Sequence, residues 1–346
     1  MKISKNSSIN KIVFRCDAGN NPKVGTGHLY RCIHIAEHLV RKYKINKKQI
    51  IFICKKGREF SISKKILYNQ NYKTIEIGNN IIDNSIKEAK FISSANGNLL
   101  IIDRIGTTNE KFYNILKTKF NKIILFEDKS KIRNKFDLSI NSLVFPKLHL
   151  KSKNVKVGFK FLLLPSILEN KVANSLSNNI FLSFGGYDHN NLCLKVLKIL
   201  HKINKNLKIF IPKIYELNLQ GLSKKHKIVL YSKNDYMEHF RKCNIAIISG
   251  GLTLFDGIYL KKKIICIPQY RHQLFNADKI KKSFPLFVIK RSLKSFNTKI
   301  LNKFNEIYDN KKLDKEIKLK KNNIISKKNY IKTMKYLEKM YEKSLN

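Results

Sequence analysis

At 346 residues, 43% of them hydrophobic, the chain is too long for one small core and suits two domains of ordinary size. No apolar run reaches bilayer length and the first ten residues hold no signal-peptide core, which predicts a cytoplasmic protein without a membrane span. The net charge of +46 is almost all lysine, runs along the full chain and comes without an RNA-binding motif or aromatic-basic interleaving, so no specific nucleic-acid partner is expected, only attraction for an anionic substrate.

The chain opens with IVFRCDAGNNPKVGTGHLYR over residues 12–31. A short apolar strand breaks into Arg15, Cys16 and Asp17, crosses a Gly/Asn/Pro stretch and re-emerges as a helix over 28–42, with Ile33, Ile35, Ala36, Leu39 and Val40 as its apolar face. Such a turn leaves the first helical N–H groups pointing into the loop, where the positive end of the helix dipole also lies, and this favours an anion. Gly25 and Gly27 let a ligand approach the backbone, and His28 adds a histidine, the side chain type that titrates near neutrality. Asp17 and Arg15 stand at the strand's carboxyl end, where open α/β sheets bind ligands.

Further strands are expected at 50–54, 72–77, 99–102 and 122–126, with helices at 82–93 and 109–120. The third strand ends in Asp103-Arg104 and the fourth in Glu127-Asp128, on the same sheet edge as Asp17 if the sheet is parallel. Asp103 reads equally as ligand contact or cap, while Glu127 and Asp128 read as structural. Residues 142–178 look like a connector, with the domain boundary in the polar stretch 169–179.

The second half repeats the build with a strand at 180–184, the turn Gly185-Gly186-Tyr187-Asp188 and a helix over 190–203. Strands at 208–211 and 227–230 and a short helix at 237–241 lead to a strand at 244–248, the turn Ser249-Gly250-Gly251-Leu252-Thr253 and a helix carrying Asp256. Both glycine turns offer backbone N–H groups to a diphosphate, and Thr253 adds a hydroxyl. A strand over 263–267, Pro268 and the segment 269–275 follow. The last helix, near 330–343, spaces Ile331, Met334, Leu337, Met340 and Tyr341 as one stripe for packing. The six cysteines, Cys16, Cys32, Cys54, Cys193, Cys243 and Cys266, form no C-x-x-C pair, which points to buried thiols and no metal.

The spacing R-x-D, then G-x-G-H-x-x-R, followed by IIDR, TTNE, LFED and FDLSIN, resembles the nucleotide-sugar hydrolases of pseudaminic acid biosynthesis, and the related spore-coat polysaccharide biosynthesis proteins. Ile105 stands where the pseudaminic enzymes tend to carry an aromatic, and Leu164 where an arginine is usual. The resemblance implies catalysis by the histidine of G-x-G-H, here His28; by their placement Asp17 is expected to hold its imidazole or orient water or sugar, and Arg15, Arg31 and Asp103 to lie near the substrate.

The turns SFGG and SGGLT, with Asp256 three residues after Thr253, resemble the nucleotide-binding domain of the GT-B class, which implies ribose contact by Asp256 and ligand contact near His272 and Gln273. The expected fold is α/β and GT-B-like, two Rossmann-like domains with parallel sheets facing across a cleft: 11–165 catalytic, 178–295 nucleotide-binding, and 296–346 lysine-rich helices. The implied reaction is hydrolysis of a UDP-linked diacetamido deoxy sugar at its anomeric carbon, with water as co-substrate and no cofactor. The alternatives are a GT-B glycosyltransferase with a UDP-sugar donor, and a nucleotide-sugar or polyanion-binding protein without turnover.

Overall fold

A computed structural model describes residues 10–19, 24–143, 145, 152–168, 176–215, 217, 225–232, 234–292, 294–320 and 325–346. Residues 20–23 of the first loop and 169–175 of the expected boundary lie outside them. The chain divides into two compact units, Met1–Leu163 with Lys328–Asn346, and Leu164–Lys327.

The first unit runs β1 (Ile12–Cys16), α1 (Gly27–Tyr43), β2 (Ile50–Lys55), α2 (Ser61–Asn69), β3 (Lys73–Ile77), α3 (Ile86–Ser94), β4 (Leu99–Gly106), α4 (Glu110–Lys117), β5 (Lys122–Asp128), β6 (Leu138–Asn141) and β7 (Val155–Val157). Its seven strands lie in the order β3-β2-β1-β4-β5-β6-β7, every neighbouring pair parallel. The central strands β1, β2 and β4 are buried almost throughout, as their near-continuous apolar sequences require of strands covered on both faces. One core layer gathers Val13, Ile51, Leu100 and Ile123 with Phe112, Leu116, Phe120 and Phe136.

Caps set several boundaries. The helix expected from residue 82 starts at Ile86, because the Ser85 side chain accepts from the Glu88 N–H at 3.1 Å. Asn109 is likewise the cap of α4 and not its first residue, accepting from Phe112 N at 3.0 Å. The short strand β7 falls where a connector was expected, and β6 stands just before it where no strand was expected, since three or four residues carry too little periodicity to show.

The second unit runs β8 (Leu176–Ser183), α5 (Leu192–Leu200), β9 (Lys208–Pro212), β10 (Lys227–Tyr231), α6 (Tyr236–Lys242), β11 (Cys243–Ile248), α7 (Leu252–Tyr259), β12 (Lys263–Cys266), α8 (Arg271–Lys281), β13 (Leu286–Val288), α9 (Phe296–Tyr308) and α10 (Lys311–Leu319). Its order, β10-β9-β8-β11-β12-β13, repeats strand for strand the first six of the other sheet. Again all pairs are parallel.

The last helix, α11 (Lys327–Ser344), belongs to the first unit. It is held to α1 by His38 Nε2 and Glu338 at 2.8 Å, by Tyr43 donating to Glu342 at 2.7 Å, and by His34 with Tyr330. Its buried face is Tyr330, Thr333, Met334, Leu337 and Tyr341; Ile331, expected in that stripe, is exposed because Tyr330 takes the inward position of that turn. Among the described residues no helix is long and apolar enough to cross a membrane.

Candidate functional site

In both sheets the chain leaves the first strand in one direction and the fourth in the other, so their carboxyl ends open a crevice where ligands bind in such folds. In the first unit that crevice lies between β1 and β4, paired with Cys16 opposite Asp103. Helix α1 packs against both strands, which brings His28, in its first turn, over Asp103.

His28 Nδ1 lies 2.7 Å from Asp103 Oδ1. Asp103 is fully buried and is gripped by Arg31, whose Nε and Nη2 donate to its two oxygens at 2.6 and 2.5 Å. Arg31 Nη1 donates to Glu127 at 2.9 Å, and Glu127 in turn accepts from Ser142 Oγ at 2.7 Å. Burial pushes the Asp103 carboxyl up, but Arg31 and His28 outweigh it and hold it at about 2. Burial pulls the Arg31 guanidinium down; Asp103 and Glu127 more than reverse this, so it is raised.

An ionised Asp103 only accepts, so Nδ1 carries the imidazole proton and the lone pair is on Nε2. Arg31 Nη2 is the weaker neighbour of Nδ1, at 3.3 Å. Among the described residues Nε2 meets no partner, and the side chain, one-fifth exposed, borders a pocket of about 70 Å³ with Asp17, Val24, Asp83, Arg104 and Ile105.

One expected catalytic residue and two expected substrate contacts are thereby placed differently. Asp17 does not hold the imidazole: its Oδ1 accepts from Lys55 N at 2.7 Å and its Oδ2 pairs with Arg15 at 2.7 Å, although the residue still lines the pocket. Arg15 is not a substrate contact, being fully buried between Asp17 and Glu88, with Glu88 at 2.8 Å. Arg31, 3% exposed, is a positioning residue behind Asp103. Arg104, passed over in the sequence because nothing there pairs it with residue 88, takes both Glu88 oxygens at 2.5 and 2.7 Å. Burial pushes Glu88 up, while Arg104 and Arg15 bring it down to about 2. Gly25 stands in open space, and α1 begins at Gly27 with no side-chain cap.

The second unit's crevice lies between β8 and β11, where Ser183 pairs with Ile248. Gly185 has φ +90°, a conformation that L side chains rarely adopt. Tyr215 clamps this turn, its hydroxyl donating to Gly185 O and accepting from Phe184 N, both at 2.7 Å, and Gln269 Nε2 donates to Phe184 O at 2.6 Å. The helix after it is no anion seat, because Asp188 already occupies its N-terminus, accepting from Leu192 N at 2.9 Å and Cys193 N at 2.7 Å. The expectation that both glycine turns could hold a diphosphate therefore narrows to the second; Gly186 is left half-buried beside the clamp.

Gly251 caps α7 without a side-chain bond, and Leu252 and Thr253 are half-buried in the first helical turn. A Cβ on Gly250 would stand 2.7 Å from the Gln273 carbonyl oxygen, so only glycine lets the turn pass α8. Gln273 and Asp256 are equally buried, each 8% exposed, and Gln273 Oε1 accepts from Gln269 N at 2.9 Å. Asp256 accepts from Tyr236 at 2.9 Å, which fixes its carboxylate in the helix after the turn. His272 is exposed and stacks on Tyr270 with ring centroids 5.8 Å apart.

No family model matches the chain. It is similar to an uncharacterized protein of Methanocaldococcus jannaschii, MJ1062, at 30% identity over 272 residues, 71% of this chain and 54% of that protein, and so spans about half the length of the curated relative it matches. Among solved structures it is similar to MurG of Acinetobacter baumannii, with TM-score 0.65, 13% identity and coverage of 95% of this chain and 99% of that one. It is also similar to LpCGTa in complex with UDP, with TM-score 0.63, 11% identity and coverage of 97% and 99%. For UGT89C1 of Arabidopsis thaliana complexed with quercetin the values are 0.59, 10%, 96% and 99%. The fold is that of the GT-B glycosyltransferases, α/β with two Rossmann-like units.

Proposed function

We propose that the chain is a GT-B-type enzyme that transfers a glycosyl group from a UDP-sugar to an acceptor hydroxyl. The observation that carries this is the His28–Asp103 pair, at 2.7 Å, which points a basic nitrogen into a pocket at the crevice of the first sheet. Nε2 takes the proton of the attacking hydroxyl as its oxygen bonds to the anomeric carbon. The bond from that carbon to the β-phosphate oxygen breaks, and UDP leaves with the electron pair. In the second unit the uncapped N-terminus of α7, with Gly250, Gly251, Leu252 and Thr253, offers N–H groups to the charge that grows on the diphosphate. Asp256 takes the ribose hydroxyls. Support for UDP comes from the likeness to LpCGTa in complex with UDP, and support for transfer from the likeness to the glycosyltransferases CalG4 and VinC.

Hydrolysis is the second reading, with water in place of the acceptor. It is favoured by the Arg15-x-Asp17 and G-x-G-His28-x-x-Arg31 spacing, and by a pocket with room for a few ordered waters. One experiment separates the readings: a panel of UDP-sugars is incubated with and without candidate acceptors, and released UDP is measured. Release that requires an acceptor supports transfer, release from UDP-sugar and water alone supports hydrolysis, and UDP binding without release under any condition overturns both.

A further inference from the structure

Only nine of the chain's 70 Lys and Arg residues are arginine. Three of them, Arg15, Arg31 and Arg104, grip the buried carboxylates of the first unit, the planar forked donor serving where geometry matters. Of the four exposed arginines, Arg41, Arg58, Arg271 and Arg291, two line one cavity in the second unit, about 220 Å³ in volume. Lys290, Tyr270, Gln269 and Ser292 share its wall, and among the described residues no carboxylate does. Neither arginine, nor Lys290, forms an ion pair with a described residue. Asp188, whose charge reaches Tyr270, is bonded to the backbone of α5.

The cavity's place in the sheet says what it meets. Its walls follow β12 and β13, the next two strands after β11, whose end carries the α7 turn. Neighbouring strands lie about 4.8 Å apart, so the cavity begins roughly 5–10 Å along the edge from that turn, the span of one hexose. Gln269 ties the same wall to the first glycine turn through Phe184 O.

We infer that this cavity reads an anionic group, a carboxylate, on the glycosyl part of the donor, with Arg291 and Arg271 as the forks that bind it and Lys290 adding charge. The inference rests on the nucleotide-sugar reading above. It is tested by calorimetric binding of UDP, UDP-glucose and UDP-glucuronate to the full chain at fixed salt. The wild type should bind UDP-glucuronate at least about tenfold more tightly than UDP-glucose. Arg291→Gln and Arg271→Gln should each bring the two within about twofold, and Arg291→Lys should restore only part of the difference. Arg58→Gln, which removes the same charge in the first unit, should leave the preference intact. Equal affinities in the wild type overturn the inference, as does a preference that survives both glutamine variants or is lost equally in Arg58→Gln. If UDP binds but no preference exists, only the inference fails; if UDP does not bind, the nucleotide-sugar reading fails with it.

Discussion

The two units share one strand order and two chemistries. At the switch point of the first sheet, ionisable side chains gather in two bonded sets: His28, Asp103, Arg31 and Glu127, and Arg15, Asp17, Glu88 and Arg104. At the same point of the second sheet there is mostly backbone, with Gly185, Gly250 and Gly251 keeping side chains away and Asp188 blocking one of the two helix ends. The topology fixes where a ligand sits, and the residues at the strand ends decide what happens to it. An ionic lattice suits proton transfer at a fixed geometry, and a bare helix end suits a charged leaving group.

The comparison breaks most sharply at His28. If the first unit supplies the base and the second the grip, His28→Ala should lower UDP release about 10²–10⁴-fold and leave UDP affinity unchanged, read by coupled assay and calorimetry. A variant that turns over normally would remove the base from the mechanism.

Acid should separate the units next. Glu88 and Asp103, each held at about 2, bind protons more weakly folded than unfolded, so their stabilisation is complete above about pH 5 and is lost as pH falls toward 2. Each contributes roughly 2–3 kcal/mol. Asp188 is shifted the other way: burial pushes it up, and its backbone donors only partly offset this, so its folded form is relieved as pH falls. Asp235 and Glu238, held low in the second unit, are exposed and screened. Hydrogen exchange at pH 3 and pH 6 should therefore show the first unit's strands losing protection before the second's. Equal loss would show that the ionic lattice is not what acid attacks.

The second unit's grip is sharpened by Gly250→Ala. A methyl group 2.7 Å from a backbone oxygen forces α8 away, which should cost about 1–3 kcal/mol by denaturant midpoint and abolish detectable UDP binding. The smallest effect is expected at Asp256→Ala, a loss of about 1–2 kcal/mol of UDP affinity, roughly tenfold in Kd. Unaltered affinity would free Asp256 from the ribose and leave it as the partner of Tyr236.

Much of the architecture was legible because parallel strands buried on both faces write themselves as apolar runs, such as 50–54 and 99–102. His28 and the two glycine turns were visible because strand, loop and helix signals follow one another locally. The partners were not. Asp103 lies 75 residues from His28 and becomes its neighbour only through the pairing of β1 with β4. The direction of Arg15 was hidden because β1 is buried at every position, so no alternation marks a face. Glu127, read as structural, holds Arg31, which holds Asp103; a chain of contacts across three elements leaves no local trace. Tyr215 and Asp188 were missed for the same reason, each acting on backbone that only the folded turn presents.

The return of α11 to the first unit bears on how the molecule is born. On a ribosome the first sheet emerges early, yet the helix that covers the outer face of α1 comes only after the second unit has been synthesised. For that interval the face of α1 that meets Glu338 and Glu342 has no cover, so the earlier of the two units to emerge is the later to be finished. A nascent chain stalled just after α10 should expose apolar surface on a half that has already paired its strands, which makes it a natural client for a chaperone that waits near the exit.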